Sequence, residues 1–250
     1  MINARALLLS PLISAVIYIQ PVFANPADYI YTPSVAYGER EIDFKAGSNT
    51  QQAGIGTASG ASIGFGYGAK DNWFTEVYLK RERSGNTDAN LAEWENKFQI
   101  TETGQYPVDL GAITELEAPL NGNAPWELNV GPLLQTEFGK IQLNGNLLFQ
   151  RAFGKADESG VPYSTNLNYQ WQVKYRWQPV LEFGMQSFGG MGKWNDWNSQ
   201  ASQDHRIGPA IFGKFALGNR QAIRYNAAWL LGESNAAPNH TLRLQVEYEF

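Results

Sequence analysis

Toward its carboxy terminus the chain alternates without a break. Leu242, Leu244, Val246, Tyr248 and Phe250 share one parity, and Arg243, Gln245, Glu247 and Glu249 share the other. Successive side chains of an extended strand point to opposite faces, so this segment is a strand with one apolar and one polar side. The same beat runs through the rest of the chain. Ile42, Phe44 and Ala46 oppose Glu41, Asp43 and Lys45; Trp73, Val77 and Leu79 oppose Phe74, Glu76 and Tyr78; Trp94 and Phe98 oppose Glu93, Glu95 and Lys97. Leu110, Ala112 and Leu116 oppose Asp109, Glu115 and Glu117; Leu143 and Leu147 oppose Asn144 and Asn146; Tyr169, Trp171 and Val173 oppose Gln170, Gln172 and Lys174; Ile207, Ile211 and Phe215 oppose Arg206, Gly208 and Lys214. The pattern predicts about twelve strands of roughly ten residues, the length a tilted strand needs to cross a bilayer.

The connections alternate in length. Tight links at Ala69–Asn72, Thr103–Pro107, Phe138–Lys140, Arg176–Pro179 and Leu217–Arg220 take every second position, and longer polar stretches lie between them, including Gly154–Tyr163 and Gly189–Gln203. This predicts an all-β fold: a transmembrane antiparallel up-and-down β-barrel with short periplasmic turns and longer extracellular loops. A soluble β-sandwich also alternates, but the polar faces here carry charges and amides that a dry core would bury at high cost. Trp73, Trp94, Trp126, Trp177, Trp229 and Tyr248 stand near strand ends, where aromatic belts meet the membrane interfaces.

The first residues form a different pattern. Arg5 precedes an apolar run from Ala6 to Ile19, and Val22 and Ala24 stand before a small-residue cut site, so residues 1–24 read as a cleaved secretory signal peptide. Residues 25–35 are then expected as a periplasmic amino-terminal segment, and 36–250 as the outer-membrane barrel. Loss of Arg5 leaves 18 basic side chains against 24 acidic ones, which argues against nucleic acid as a partner. With no cysteine, disulfides and thiolate metal sites are excluded.

In three stretches, "AEWENKFQITETGQYPVDLGAITELE" (Ala92–Glu117), "GEREIDF" (Gly38–Phe44) and "HRIGPAIFGKF" (His205–Phe215), the chain resembles a family of uncharacterised proteobacterial outer-membrane barrels, loosely similar to the transporters associated with phenol meta-cleavage pathways. The resemblance implies a barrel and transport, and carries no substrate. The ending "VEYEF" also resembles the terminal aromatic signature of outer-membrane proteins, which implies that Tyr248 and Phe250 act as an assembly signal read by the barrel-assembly machinery.

If the polar parity faces the lumen, its charges divide. Glu41, Asp43, Glu76, Glu93, Glu95, Asp109, Glu115 and Glu117 are expected as an acidic wall, and Lys174, Arg206, Lys214, Arg224 and Arg243 as a basic one. Acid facing base across a narrow bore sets up a transverse field that orients small polar solutes. The same charges as salt bridges instead hold the barrel shut. Gly64, Gly66 and Gly68 leave either a recess or a site of curvature. The only histidines, His205 and His240, have outward parity with no serine motif beside them, so no catalytic residue is assigned. Carboxylates spaced by two, as at Glu93 and Glu95, share a face and are not read as a metal site; no cofactor is expected. The expected function is a narrow channel for passive or weakly selective passage of small hydrophilic solutes through outer-membrane lipid. A closed structural or receptor barrel is the alternative, and a lipid-modifying enzyme the third reading.

Overall fold

The computed structural model describes residues 25–50, 57–85, 87–121, 125–154 and 163–250. The expected signal peptide lies outside the described residues. Thirteen strands follow in order: β1 (Arg40–Thr50), β2 (Thr57–Lys70), β3 (Trp73–Ser84), β4 (Thr87–Gln99), β5 (Asp109–Pro119), β6 (Trp126–Phe138), β7 (Ile141–Phe153), β8 (Thr165–Gln178), β9 (Leu181–Lys193), β10 (Asp196–Trp197), β11 (Asp204–Gly218), β12 (Gln221–Gly232) and β13 (His240–Glu249). All pair antiparallel in one sheet that runs from β9 through β11, β12, β13 and β1 to β8, where β8 pairs back with β9. The result is a closed barrel of twelve strands, with β10 as a short hairpin arm on β9.

Closure is made by the first and last strands. Their ladder runs from Glu41 opposite Glu249 to Thr50 opposite His240. In hydrocarbon every backbone amide and carbonyl must find an internal partner, so a strand wall spans lipid only when it has no edge. The faces follow the alternation. Ile63, Leu79 and Leu242 are 54%, 58% and 57% exposed on the outside, whereas Asp43 and Glu95 are 1% exposed on the inside. A soluble protein shows the reverse; a barrel in lipid requires this.

Some boundaries differ from the expected ones. Strand β9 continues to Lys193, into the stretch read as a loop, and is followed by β10 and a 3₁₀ turn at Gln200–Ser202. The link between β4 and β5 spans 100–108 and is longer than the tight turn expected at Thr103–Pro107. Side chains organise it: the Gly104 amide donates to Asp109 Oδ1 at 2.7 Å and the Leu110 amide to Thr101 Oγ1 at 2.8 Å, taking Val108 out of the ladder. The expected loop residues 51–56 and 155–162 lie outside the described residues.

The largest correction concerns the amino-terminal segment. Expected beneath the barrel, it runs up inside the bore. At the turn side the Gly38 amide donates to the Gly68 carbonyl and the Gly68 amide to the Glu39 carbonyl, both at 2.8 Å, which turns the chain inward. The Val35 amide then donates to Gln99 Oε1 at 2.8 Å, and at the loop side Asn25 Nδ2 donates to Glu82. Backbone passes this close only where the wall lacks side chains. A Cβ at Gly68 would meet the Ala36 carbonyl oxygen at 1.9 Å, and one at Gly47 the Pro26 carbonyl oxygen at 2.0 Å.

Candidate functional site

The site is the bore together with the segment that fills it. At mid-height Ile30 and Tyr31 point to different walls. Ile30 packs with Phe188, Ala210, Phe212, Ala228 and Leu230 of β9, β11 and β12, and Tyr31 with Ile113, Leu133 and Leu148 of β5, β6 and β7. One dipeptide therefore closes the bore with two apolar contacts. The pads share a local form. Gly131-Pro132 in β6 and Gly208-Pro209 in β11 each interrupt the ladder to the next strand just before the pad residues Leu133 and Ala210, because proline offers no amide hydrogen. Above this septum lies a void of about 210 Å³ lined by Asp28, Lys80, Glu93, Glu117 and Gln150, and below it one of about 660 Å³ lined by Glu41, Lys97, Lys174, Arg224 and Glu247.

Polar contacts hold the segment to the acidic wall. The Tyr29 hydroxyl donates to Glu95 Oε2 at 2.6 Å and the Tyr31 hydroxyl to Glu115 Oε1. Lys45 Nζ lies 3.3 Å from the Tyr29 ring centroid and 3.7 Å from that of Tyr78, and 3.4 Å from Asp43. A cation over two aromatic faces and beside a carboxylate is well placed in a desolvated site. Asn146 Nδ2 donates to the Tyr31 carbonyl at 3.1 Å. Within the segment, burial pushes the Asp28 carboxyl up from 3.8 to about 6, with Lys80, Arg206 and Arg243 pulling it down.

The structure draws most of the acidic residues together. Glu76 and Asp43 accept from the Tyr78 hydroxyl at 2.8 and 2.9 Å, and Lys80 Nζ reaches Glu93 at 2.8 Å and Glu117 at 2.6 Å. Glu41 is buried on the same face of β1, two positions before Asp43. Asp109 stands apart, capping the β4–β5 link. The glycine row of β2 leaves no recess: the Tyr78 ring lies over Gly64, with an added Cβ 2.3 Å from it.

The basic residues lie on β8 and β11 to β13, and Lys174, Lys214 and Arg224 line the lower void together with Glu41 and Glu76. Lys174 pairs with Glu182 at 3.4 Å, Lys214 with Glu249 at 2.7 Å, Arg224 with Glu247 at 3.6 Å and with Glu249, and Arg206 with Asp204 at 3.0 Å. Each cation finds its acid on its own side of the bore, which compensates the expected transverse field locally. Arg243 donates to Gln186 Oε1 at 2.7 Å, reaching from β13 to β9 over the small lumenal side chains Ala228 and Ala210.

That contact starts a relay the alternation does not reveal. Gln186 donates to Gln172 at 3.1 Å, Gln172 to Asn144 at 2.9 Å, and Asn144 to Gln135 at 2.8 Å. Gln186, Gln172 and Asn144 each accept from one neighbour and donate to the next, so the bonds polarise one another. A second row runs from Asn168 through Gln150 to Glu127. The amides are legible as a polar parity, but their joining is not. Ile113, Leu133, Leu148, Phe188, Phe212 and Leu230 were also missed, although a signal exists: each is an apolar residue on the polar beat. On the outside, His205 shares hydrogen bonds with the Tyr169 hydroxyl at 2.8 Å and Gln203 at 2.7 Å, and His240 lies 5.9 Å from the Trp229 ring.

No family model matches the chain, and no curated protein matches it. Among solved structures it is similar to an outer-membrane channel from Pseudomonas putida F1, at 14% identity and TM-score 0.59 over 91% of this chain and 100% of that one. It is also similar to the NanC porin, at 14% identity and TM-score 0.54 over 84% and 98%, and to the KdgM porin, at 8% identity and TM-score 0.52 over 84% and 98%. At these identities what is shared is the fold, and the fold is that of a Gram-negative outer-membrane β-barrel.

Proposed function

We propose that the chain is a channel for small hydrophilic solutes across the outer membrane, held closed by its own residues 25–36. The observation that carries this is the pair of polar voids lying above and below a septum made by Ile30 and Tyr31. A structural barrel has no need of a lumen that is charged, amide-lined and blocked by a tethered segment rather than by its own wall. The likeness to porins supports the reading, and the KdgM porin is known in complex with oligogalacturonate. The lumenal acids and bases would line the path once the segment leaves. Tyr248 and Phe250, whose rings stack at 5.4 Å beside the closing ladder, would serve as the signal for the barrel-assembly machinery.

One set of observations favours the second reading, a closed structural barrel: the ion pairs of Lys174, Lys214 and Arg224 at the periplasmic rim. Planar-bilayer recordings separate the two. Replacing residues 28–33 by glycine and serine at constant length should raise conductance by on the order of tenfold over the intact protein, since a freed aqueous bore conducts and a plugged one does not. Silence from both proteins rules out the channel.

A further inference from the structure

We infer that Glu93, Glu95 and Glu115 hold a hard divalent cation of the calcium class at the inner wall of the bore. One carboxylate oxygen from each residue lies within 4.8 Å of the other two. Oxygens that share a calcium ion at about 2.3–2.6 Å are separated by no more than about 5 Å, so the three can bind one ion without rearrangement of the wall.

Charge points the same way. Glu95 lies directly opposite Glu115, and Glu93 directly opposite Glu117, so two rungs of adjacent strands carry four carboxylates. Like charges opposed across a ladder destabilise it. Lys80 serves Glu93 and Glu117, and among the described residues the ion pairs of this square all run to Lys80. Among the described residues the carboxylates of Glu95 and Glu115 receive the tyrosine hydroxyls of the closing segment and no other hydrogen bond.

An independent mark of a missing partner is at Glu95. The residue is 1% exposed, and its Oε1 has no hydrogen-bond partner among the described residues. A carboxylate oxygen buried without a donor is costly, and a cation is the ligand that removes the cost while keeping the carboxylate ionised. The void of about 210 Å³ that Glu93 and Glu115 line has room for water to complete the coordination. The donors are oxygen alone, which suits calcium and disfavours zinc, and a ring of flexible glutamates meets calcium's loose geometry better than magnesium's octahedron.

The consequence rests on the closing role proposed above. Glu95 and Glu115 are the acceptors for Tyr29 and Tyr31, so an ion that holds both carboxylates in place also keeps the segment docked. Calcium then acts as a latch on the closed state.

Terbium, which occupies calcium sites and is sensitised by neighbouring tyrosines, is the probe. The full-length barrel, stripped with chelator and titrated with terbium, should give a saturating signal that calcium displaces. Glu95→Gln combined with Glu115→Gln should weaken binding at least about tenfold, while Asp88→Asn at the loop-side rim leaves it unchanged. No sensitised signal in the intact protein, or undiminished affinity in the double variant, overturns the site. Should the double variant fail to form a heat-resistant barrel, the unfolding temperature of the intact protein decides: a calcium-dependent rise supports the site, and none overturns it. Binding is read without current, so a silent bilayer bears only on the channel.

Discussion

The two sides of the bore solve the same problem differently. On β1 to β5 the lumenal face carries carboxylates whose partners come from elsewhere: Lys80 reaching across strands, and the hydroxyls of Tyr29 and Tyr31 from the closing segment. On β6 to β9 it carries amides, of which Gln186, Gln172, Asn144 and Gln135 bond one another in a row anchored at one end by Arg243. A carboxylate can only accept, so an acidic wall must borrow donors. An amide both donates and accepts, so neighbouring amides can bond one another. The acidic side therefore carries the groups that respond to protons and ions, while the amide side meets the segment through Asn146 and the apolar pad under Tyr31.

The largest effect should follow from removing a borrowed donor. Lys80→Met leaves buried Glu93 and half-buried Glu117 opposed without their cation, a loss of about 3 kcal/mol of barrel stability on the scale of broken buried ion pairs, read from the urea midpoint. An unchanged midpoint would show that water, not Lys80, compensates that wall. On the amide side the loss should be smaller. Gln172→Leu cuts the relay between Asn144 and Gln186 and should cost about 2 kcal/mol, the price of stranded buried amide groups, with no change in closure. A rise in conductance in that variant would blur the division between the walls.

A further effect is on pH. Asp28 belongs to the closing segment, and its carboxyl is raised from 3.8 to about 6 when docked, so docking takes up a proton. That contribution is complete below pH 3.8, declines as pH rises through 6, and is absent above. Open probability should increase across this window and then level off, and Asp28→Asn should flatten the curve. A profile that rises on acidification has the wrong sign for this docking.

Much of the barrel is legible in the residues because lipid sorts them without knowledge of their neighbours. Leu244 and Arg243 reach opposite faces whichever strand lies beside them. The misses share a cause. Tyr29, Ile30 and Tyr31 sit in a stretch with no alternation, and nothing local says that their partners are Glu95, Phe188 and Glu115. Asp109 has the parity of a lumenal acid, yet its carboxylate is claimed by the Gly104 amide five residues earlier. Lys214 and Glu249 were separable as basic and acidic, but their pairing at 2.7 Å depends on how β11 and β13 lie across β12.

By itself the sequence determined about twelve strands for the barrel wall, the division of side chains between hydrocarbon and lumen, and the antiparallel closure, because period-two alternation is a local property that a bilayer reads one residue at a time. Only the tertiary structure decided what fills the lumen and which charges meet there. Those contacts join residues as far apart as Asp43 and Gln245, and curvature of the closed sheet, not spacing along the chain, brings them within 2.9 Å.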